Sequence, residues 1–224
     1  MIKSGDKQMG KKDNISSSVI QRLPRYYRFL SELEKEGITH VNSGELAQRM
    51  RSTASQVRQD FNCFGEFGQQ GIGYSVKGLT KEIENILGLK NRYPAILIGA
   101  GNIGTAIANQ LTFENKCFQL IGIFDNDENK IGSEVAGLTV QSILSLDEFC
   151  KNNHVETAVL CVPKTAAAEL AHQLYKLGIK SYWNFSHYDL KLLYPDIVVE
   201  NVHLSDSIMQ LCFRITQSTN IDKQ

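Results

Sequence analysis

The residues of this 224-residue chain with the clearest chemical pattern form one glycine-rich stretch: Gly99, Ala100, Gly101, Asn102, Ile103 and Gly104. In a turn from a strand into a helix, Gly99 permits the tight turn and Gly101 lets the backbone approach a pyrophosphate, while Gly104 lets the helix pack closely on the strand. The N–H groups and the dipole at the start of that helix favour an anion. The stretch therefore predicts a phosphate-binding turn.

A carboxylate follows at the spacing that is typical of a dinucleotide site. Asp125 lies 21 positions past Gly104, at the end of the apolar run 118–124. Such a carboxylate accepts hydrogen bonds from both ribose hydroxyls and repels a 2′-phosphate, which favours NAD(H) over NADP(H). The next residues, Asn126, Asp127 and Glu128, add no Lys or Arg. Two alternatives stay open: glycines that only pack a helix on a strand, or a pocket for coenzyme A, a nucleotide sugar or S-adenosylmethionine.

Strands and helices alternate around these residues. The apolar run 95–98 predicts a buried strand before the glycines, and the spacing of Ile103, Ile107 and Leu111 predicts a helix after them. Further strands are expected near 138–140, 157–162, 181–185 and 197–202, and helices near 146–150 and 165–177. This order demands a parallel, doubly wound sheet whose ligands lie at the carboxyl ends of the strands. Four residues end strands there and are expected near the nicotinamide, with ordinary loop structure as the alternative: Val162, Pro163, Asn184 and Phe185.

The first part of the chain predicts a helix-turn-helix. After a long helix that Pro24 either kinks or effectively begins, Asn42 to Glu45 fits a capping box. Thr53 to Gln56 repeats the capping pattern and opens a second short helix, whose start would enter the major groove of DNA. The outward residues that we expect to face DNA are Thr53, Ser55, Gln56, Arg58 and Gln59. A helical hairpin that only packs is the alternative.

A glycine-rich stretch, residues 64–76, follows this unit and predicts a β-hairpin wing. Its tip, Gln69, Gln70 and Gly71, would lie near DNA phosphates. A helix over 80–89 with Ile83, Ile86 and Leu87 on one face is expected to close this first domain.

The distribution of charge separates the two halves of the chain. Residues 1–92 hold 15 Lys and Arg against 10 Asp and Glu (+5), and residues 93–224 hold 9 against 14 (−5), so the formal sum is zero. A basic first part suits a polyanion such as DNA, and chance is the alternative because the excess is modest.

The cysteines and the apolar runs bear on the compartment. The five cysteines are odd in number and scattered, which indicates a reducing compartment. No apolar run is long enough to predict a membrane span, and no signal peptide is predicted. We therefore expect a cytoplasmic protein.

Four segments are expected along the chain. They are a flexible tail over residues 1–15, a winged-helix DNA-binding domain over 16–90, a Rossmann domain over 91–202 and a C-terminal helix over 203–224. Leu204, Ile208, Leu211 and Ile215 keep helical spacing in the last segment, so one face is strongly apolar. Exchange of this helix with an identical subunit would cover that face, and packing on its own domain is the simpler alternative.

The sequence predicts neither a catalytic residue nor a metal site. A dehydrogenase needs a substrate domain that supplies a general base and an anion clamp, and this chain has no room for one. Its five histidines show no metal spacing and no obvious acid partner in the sequence. A nicotinamide cofactor bound beside a DNA-reading unit indicates a sensor, in which the ratio of reduced to oxidised cofactor sets DNA affinity.

These residues resemble the Rex family of redox-sensing transcriptional repressors. The resemblance runs from about Ile20 to the last helix and rests on distinctive segments: 22–30, 43–46, 57–61, 64–65, 71–74, 99–104, 124–125, 162–163, 178–180 and 184–185. It implies a homodimer with winged-helix and Rossmann domains and a swapped C-terminal helix. It also implies that NADH is the effector that releases the protein from palindromic operators, whereas NAD+ permits binding.

Three positions depart from the family pattern. Gln59 stands where the recognition helix usually has a second basic residue, and Gln69-Gln70 replaces a basic wing tip, so DNA affinity and its salt dependence are expected to be low. His203 stands where the family usually has an Asp that pairs with an arginine matching Arg28. Either Asp206 rebuilds this interdomain switch or the chain discriminates NADH from NAD+ poorly. The alternatives to a sensor are a small NAD-dependent oxidoreductase and a DNA-bound adaptor with weak or no cofactor response.

Overall fold

The computed structural model of the chain describes residues 15–65, 68–69, 72–113 and 117–221. Two compact units divide the chain, Met1–Asn91 and Arg92–Gln224. The expected flexible tail up to residue 14 and the wing-tip residues Gln70 and Gly71 lie outside the described residues. No helix in the described part of the chain is long and apolar enough to cross a membrane.

The first unit is a winged helix, as predicted. Its elements are α1 (Ser17–Lys35), β1 (His40–Val41), α2 (Ser43–Met50), α3 (Ala54–Asn62), β2 (Gly68–Gln69), β3 (Gly73–Ser75) and α4 (Val76–Ile86). The strands form one antiparallel sheet in the order β1-β3-β2, so the hairpin of β2 and β3 follows the helix-turn-helix of α2 and α3 directly. This order places the wing next to the predicted recognition helix in the chain.

The caps of α2 and α3 follow the sequence closely. Asn42 accepts from the Glu45 N–H and Glu45 accepts in return from the Asn42 N–H, which confirms the capping box. Thr53 accepts from the Gln56 N–H and so caps α3. Arg51 adopts a left-handed conformation with φ of 49° and ends α2, which makes the turn between the two helices short.

The two flanking helices bear on two expectations about helix starts. Pro24 lies within α1, which begins at Ser17, so Pro24 does not mark the start of that helix. Helix α4 begins at Val76, four residues earlier than the prediction, because the Ser75 hydroxyl caps it by accepting from the Gly78 N–H. Serine is a common residue at helix N-caps, so Ser75 could have indicated that a helix starts at Val76. The apolar pattern alone did not indicate this start.

The second unit is a Rossmann-type domain built on a seven-stranded sheet. Its strands are β4 (Tyr93–Ile98), β5 (Phe118–Asp125), β6 (Glu134–Val135), β7 (Leu138–Ser142), β8 (Thr157–Leu160), β9 (Ser181–Asn184) and β10 (Val198–Asn201). Its helices are α5 (Asn102–Phe113), α6 (Leu146–Asn152), α7 (Lys164–Lys176) and α8 (Leu204–Ile221). The strand order is β10-β9-β8-β4-β5-β7-β6, with every pair parallel except β6 with β7, a short hairpin that the sequence analysis missed.

Strand β4 occupies the centre of this sheet, and its position decides where a ligand can bind. The chain passes from β4 to β5 on one side and returns to β8 on the other. A crevice therefore opens above the carboxyl end of β4, where helices leave the sheet on opposite faces. The glycine-rich stretch follows β4 and lies at this point. Buried residues of β4 and β8, including Ile96, Leu97 and Val159, hold the centre of the sheet rigid.

Candidate cofactor site and DNA-binding surface

Backbone hydrogen bonds beyond the ends of four strands hold the predicted cofactor residues at one edge of the sheet. The Gly99 N–H donates to the Phe124 carbonyl at 2.8 Å, and the Cys161 N–H donates to the Ile98 carbonyl at 2.8 Å. The Phe185 N–H donates to the Leu160 carbonyl at 2.9 Å. The turn after β4, the end of β5 and the loops after β8 and β9 are thereby fixed side by side.

The three glycines of the turn have three different surroundings. Gly99 has a φ of +99°, and a Cβ there would overlap the Cys161 carbonyl oxygen. A Cβ on Gly104 would overlap the Gly99 carbonyl oxygen, so helix and turn touch at this position. A Cβ on Gly101 would meet no described atom within 4 Å, so this glycine faces open space. Two glycines are thus required by packing within the chain, and the third leaves room for a group outside it.

The turn leads into α5, whose first N–H groups lack partners within the helix, as at every helix start. The Thr105 N–H makes the first bond of the helix to the Gly101 carbonyl at 2.8 Å. Asn102 and Ile103 form the first turn, and the Ile103 side chain is exposed. Positive potential from the helix dipole is therefore directed at the open space beside Gly101.

Asp125 is buried at the end of β5 and binds the same turn. Its Oδ2 accepts from the Ala100 N–H at 2.6 Å, and its Oδ1 accepts from the Asp127 N–H at 2.9 Å. The carboxylate therefore fixes the glycine turn through a hydrogen bond within the chain. The Lys130 ammonium also lies 3.4 Å from Oδ2, although it is five positions after Asp125 and beyond the three residues that follow the strand directly.

A cavity of about 600 Å³ lies above the strand ends. It brings together four of the predicted cofactor residues: Gly99, Asp125, Val162 and Pro163. Thr165, Glu169 and Gln173 line its far side from one face of α7. Their spacing of four residues was a signal in the sequence that they share a face, but nothing in the pattern indicated that this face borders a cavity.

Asn184 and Phe185 do not line this cavity but make contacts within the chain beside it. Asn184 is fully buried, and its Nδ2 donates to the Tyr188 carbonyl and to Asn201 Oδ1. Its Oδ1 accepts from the Ser186 N–H and hydroxyl. These bonds use both donors and both lone pairs of the amide, so Asn184 holds the loop after β9 in place. The Phe185 ring packs against Trp183, with centroids 4.9 Å apart.

His203, the unusual residue before the last helix, pairs with a second histidine. Its Nδ1 lies 2.9 Å from His187 Nδ1, and the rings are stacked at an angle of 21°. One nitrogen donates and the other accepts, and the tautomers of the two rings decide which does which. His187 has a φ of 59°, which is rare for a residue with a side chain. The pair connects the loop after β9 to the start of α8.

The other two predicted switch residues lie in separate units. Arg28 is on α1 of the first unit, where its guanidinium carbon is 5.6 Å from the centre of the Phe29 ring. Asp206 is in the first turn of α8, and its N–H donates to the His203 carbonyl. Asp206 thus lies three residues after His203, in the helical turn that follows the histidine pair.

In the first unit, four of the residues expected to face DNA are exposed on or beside α3: Thr53, Ser55, Arg58 and Gln59. The Arg58 guanidinium donates to the Ser43 hydroxyl at 3.0 Å, which anchors its side chain across α2. Gln69 lies in β2, and its side chain is not among the described ones. The exposed set leaves one cation and several small polar groups available on the recognition helix.

Gln56, the fifth residue in that prediction, is instead part of a buried network. Its Nε2 donates to Asp60 Oδ1 at 2.8 Å, and Arg22 binds both oxygens of Asp60 at 2.8 and 2.7 Å. The Tyr26 hydroxyl donates to Asp60 Oδ2. Burial disfavours the Asp60 carboxylate, but the bonds from Arg22, Gln56 and Tyr26 outweigh burial and place the pKa of Asp60 below its usual value. The network ties α3 to α1.

The terminal stripe of α8, which is Leu204, Ile208, Leu211 and Ile215, remains exposed in the single chain. These side chains and their neighbours Met209 and Phe213 are between 55% and 63% exposed. Such a contiguous apolar surface on a helix is unfavourable in water and marks a contact surface.

In the described part of the chain, no group of three or more His, Cys, Asp or Glu has the geometry of a metal site.

Two family models match the chain. Residues 14–62 match the model described as "Putative DNA-binding protein N-terminus". Residues 90–188 match the model described as "CoA binding domain". The first range ends with the recognition helix, and the second begins just before β4 and includes the glycine turn, Asp125 and Asn184.

Curated proteins and solved structures match almost the whole chain. The redox-sensing transcriptional repressor Rex of Caldanaerobacter subterraneus subsp. tengcongensis is 48% identical over 93% of this chain and 93% of its own. RSP, a Rex-family repressor, has been solved with β-NAD+ and operator DNA, where it is 43% identical, covers 94% of this chain and 96% of its own, and has a TM-score of 0.83. Its complex with β-NADH is 41% identical, covers 93% and 98%, and has a TM-score of 0.84.

Proposed function

Because this chain belongs to the Rex family of redox-sensing transcriptional repressors, we propose that it represses transcription according to the ratio of NADH to NAD+. Its first unit binds palindromic operator DNA, and its second unit binds NAD(H). NADH in the second unit releases the DNA. The observation that carries this proposal is the space beside Gly101, which adjoins the helix start and the Asp125 carboxylate in a chain that also has a winged helix.

The proposed cofactor site divides between the two halves of the dinucleotide. The pyrophosphate lies on the turn from Gly99 to Gly104, where Asn102 and Ile103 contribute N–H groups of the first helical turn. Asp125 receives the adenosine ribose, and the cavity bordered by Val162 and Pro163 receives the adjoining parts of the cofactor. Asn184 and Phe185 act on the nicotinamide half by fixing the loop after β9.

The proposed DNA contacts come from the start of α3 and from the wing. Arg58 is placed for a phosphate or a guanine edge, while Thr53, Ser55 and Gln59 offer small polar groups. Gln56 supports α3 through Asp60 and does not read DNA. The wing tip of Gln69, Gln70 and Gly71 contacts phosphates without contributing charge, so few counterions are released and the salt dependence is shallow.

We further propose that the protein is a homodimer that acts in the cytoplasm, where operator DNA and NADH are both present. The terminal stripe of α8 supports the dimer because its apolar side chains lack cover in the single chain. A two-fold axis between the copies matches a palindromic operator with half-sites one or more helical turns apart. Arg28, His203 and Asp206 are the proposed residues of the switch between the cofactor and DNA units.

The test is the affinity of the purified protein for palindromic duplexes that it selects from a randomised pool in the presence of NAD+. Fluorescence anisotropy then compares binding with saturating NAD+ and NADH. We expect weaker binding with NADH. Arg58→Ala should weaken binding in both states, and Lys151→Ala, which removes an exposed cation from α6 in the second unit, serves as its control. Equal affinities with NAD+ and NADH would refute the sensing function.

A coenzyme A adaptor is a second candidate, because the match to a CoA binding domain covers residues 90–188. Coenzyme A carries a phosphate on its adenosine ribose, and the Asp125 carboxylate at that position would repel it. An NAD-dependent enzyme is a third candidate, but the cavity lining contains neither His, Lys nor Cys among the described residues. Native mass spectrometry of the purified dimer and NADH turnover with small carbonyl compounds would separate these candidates.

A further inference from the structure

Lys130 brings a positive charge to the ribose end of the proposed cofactor site. Its Nζ lies 3.4 Å from Asp125 Oδ2 and 3.7 Å from Asp127 Oδ2, and its side chain is 37% exposed. The turn after β5 causes this placement. Asp127 accepts from the backbone and side-chain N–H groups of Asn129, and the Lys130 N–H donates to the Asp127 carbonyl. The chain is thereby folded back, and Lys130 points at the strand end.

The hydrogen bonds of Asp125 leave little capacity for a ribose. An ionised carboxylate has about four acceptor sites. Three are occupied, by the Ala100 N–H, the Asp127 N–H and the Lys130 ammonium. A ribose that presents two hydroxyls to Asp125 must therefore displace Lys130, because the other two donors are backbone groups that cannot move independently. The displaced ammonium would remain near the ribose, because the turn holds the backbone of Lys130 at the strand end.

The charges around Asp125 determine how strongly a 2′-phosphate would be repelled. Asp125 and Asp127 contribute two negative charges and Lys130 contributes one positive charge, which leaves an excess of one negative charge. A 2′-phosphate would be repelled by this excess. If Asp125 were neutral, Lys130 and Asp127 would balance, and the ammonium could donate directly to the phosphate oxygens.

We propose that Lys130 is a specificity-determining residue of this site: it competes with the ribose for Asp125, and it forms a latent binding site for the 2′-phosphate of NADP(H) that the Asp125 carboxylate blocks. The proposal rests on the proposed binding of NAD(H). The Lys130 cation lowers the discrimination of the site between NADH and NADPH. The preference for NADH over NADPH is thus set by the pair and not by Asp125 alone.

The test compares wild-type protein with Asp125→Asn, Lys130→Gln and the double variant. Each full-length protein is titrated with NADH and with NADPH, and dissociation constants are measured by calorimetry. Asn keeps an acceptor for the Ala100 N–H while it removes the charge. Lys176→Gln is the control, because it removes the same charge from an exposed residue at the end of α7 that does not line the cavity.

In Asp125→Asn we expect NADPH to bind at least about tenfold more tightly than it binds to wild-type protein. The double variant should lose that gain, returning to within about threefold of the wild-type NADPH affinity. In Lys130→Gln alone, NADPH should bind about three- to tenfold more weakly, with NADH affinity held or improved because Asp125 has lost a competitor. Lys176→Gln should change neither constant.

Two results are distinguishable as failures. If wild-type protein binds NADH but the double variant binds NADPH as tightly as Asp125→Asn does, Lys130 does not form the phosphate site and this inference is wrong. If wild-type protein unfolds in a cooperative thermal transition, and so is folded, but binds neither dinucleotide, the proposed function fails together with the inference. Thermal unfolding of all five proteins confirms that each remains folded during the titrations.

Discussion

Alanine at Gly101 should weaken dinucleotide binding without disturbing the fold, whereas alanine at Gly104, three residues later, should disturb the fold itself. The difference follows from the surroundings of the two Cα atoms. A Cβ at Gly101 meets no described atom within 4 Å, and one at Gly104 overlaps the Gly99 carbonyl oxygen and approaches a Leu97 methyl group at 3.3 Å. Both substitutions add one methyl group, so they differ only in what the methyl meets.

For Gly101→Ala, one free-energy cost falls on folding and another falls on the binding of NADH. Gly101 has no positive φ in the structure, so alanine there should change the free energy of unfolding by less than about 1 kcal/mol. A methyl forced between the turn and a pyrophosphate should cost about 1–3 kcal/mol of binding energy, as overpacking does elsewhere. That cost raises the dissociation constant of NADH by about 5- to 150-fold.

At Gly104 the same methyl must displace backbone, which cannot rotate away as a side chain can. We expect a loss of about 3 kcal/mol or more in the free energy of unfolding, which corresponds to a melting temperature lowered by about 10 °C. Helix α5 and the turn would have to separate, and Asp125 would lose its geometry with the Ala100 N–H. Binding of NADH should fall as a secondary effect of this displacement.

The assay combines thermal unfolding with calorimetric titration of NADH on wild-type, Gly101→Ala and Gly104→Ala proteins. If Gly101→Ala binds NADH with wild-type affinity, the turn does not hold the pyrophosphate and the site has been placed wrongly. If Gly101→Ala melts as early as Gly104→Ala, the space beside Gly101 is not open. We expect Gly101→Ala to be stable and to bind NADH more weakly than wild-type protein, and Gly104→Ala to be unstable.

Four further substitutions test other parts of the molecule. Asp60→Asn should lower the free energy of unfolding by about 1–3 kcal/mol, because Arg22 keeps a charge without its partner. Since the pKa of Asp60 is lower in the folded chain than in the unfolded one, this difference is complete above the unfolded pKa of about 3.9 and disappears as the pH falls through the folded value, which urea titrations at several pH values would detect. Gln59→Lys should tighten operator binding and steepen the plot of log affinity against log salt by about one unit, whereas an unchanged slope would place residue 59 away from phosphates. Leu211→Glu should convert dimer to monomer in analytical ultracentrifugation while leaving the single chain folded, because the side chain is already 57% exposed there; a persistent dimer would locate the interface elsewhere. His203→Asp should enlarge the ratio of operator affinities measured with NAD+ and NADH, and an unchanged ratio would show that the histidine pair already performs the family's switch.

The sequence predicted those parts of the site that depend on neighbours in the chain. The roles of Gly99 and Gly104 follow from a tight turn between a strand and a helix, and the capping box of Asn42 and Glu45 closes over three residues. The position of Asp125 follows from the length of one helix and one strand. Such features are decided by local backbone geometry, which the order of residues largely determines.

Contacts between distant segments were not predictable in this way. The outward pattern of α3 predicted that Gln56 faces DNA, but its amide donates to Asp60. Asp60 is held in turn by Arg22, which is 38 positions away in the chain. The pairing of His187 with His203 likewise depends on the parallel alignment of β9 with β10. Neither alignment nor side-chain direction across the sheet can be read from the periodicity of one strand.

The location of the histidine pair bears on how the protein can distinguish two forms of one cofactor. NADH and NAD+ share their adenosine half and differ in the charge and shape of the nicotinamide ring. A ligand shifts an equilibrium only by its differential affinity for the two states. In the proposed site, Asp125 and Lys130 adjoin the shared adenosine half, so substitutions there should change both affinities by the same factor.

Discrimination must therefore arise at the loops after β8 and β9. Of these, the loop after β9 is held by Asn184 and is joined through His187 and His203 to the first turn of α8. A movement of this loop caused by the reduced ring would be transmitted to the helix with the terminal stripe. Substitutions at His187 or His203 should consequently change the ratio of NADH to NAD+ affinity, whereas Asp125→Asn should leave that ratio unaltered. A ratio that responds to Asp125→Asn as strongly as to His203→Asp would contradict this division of the site.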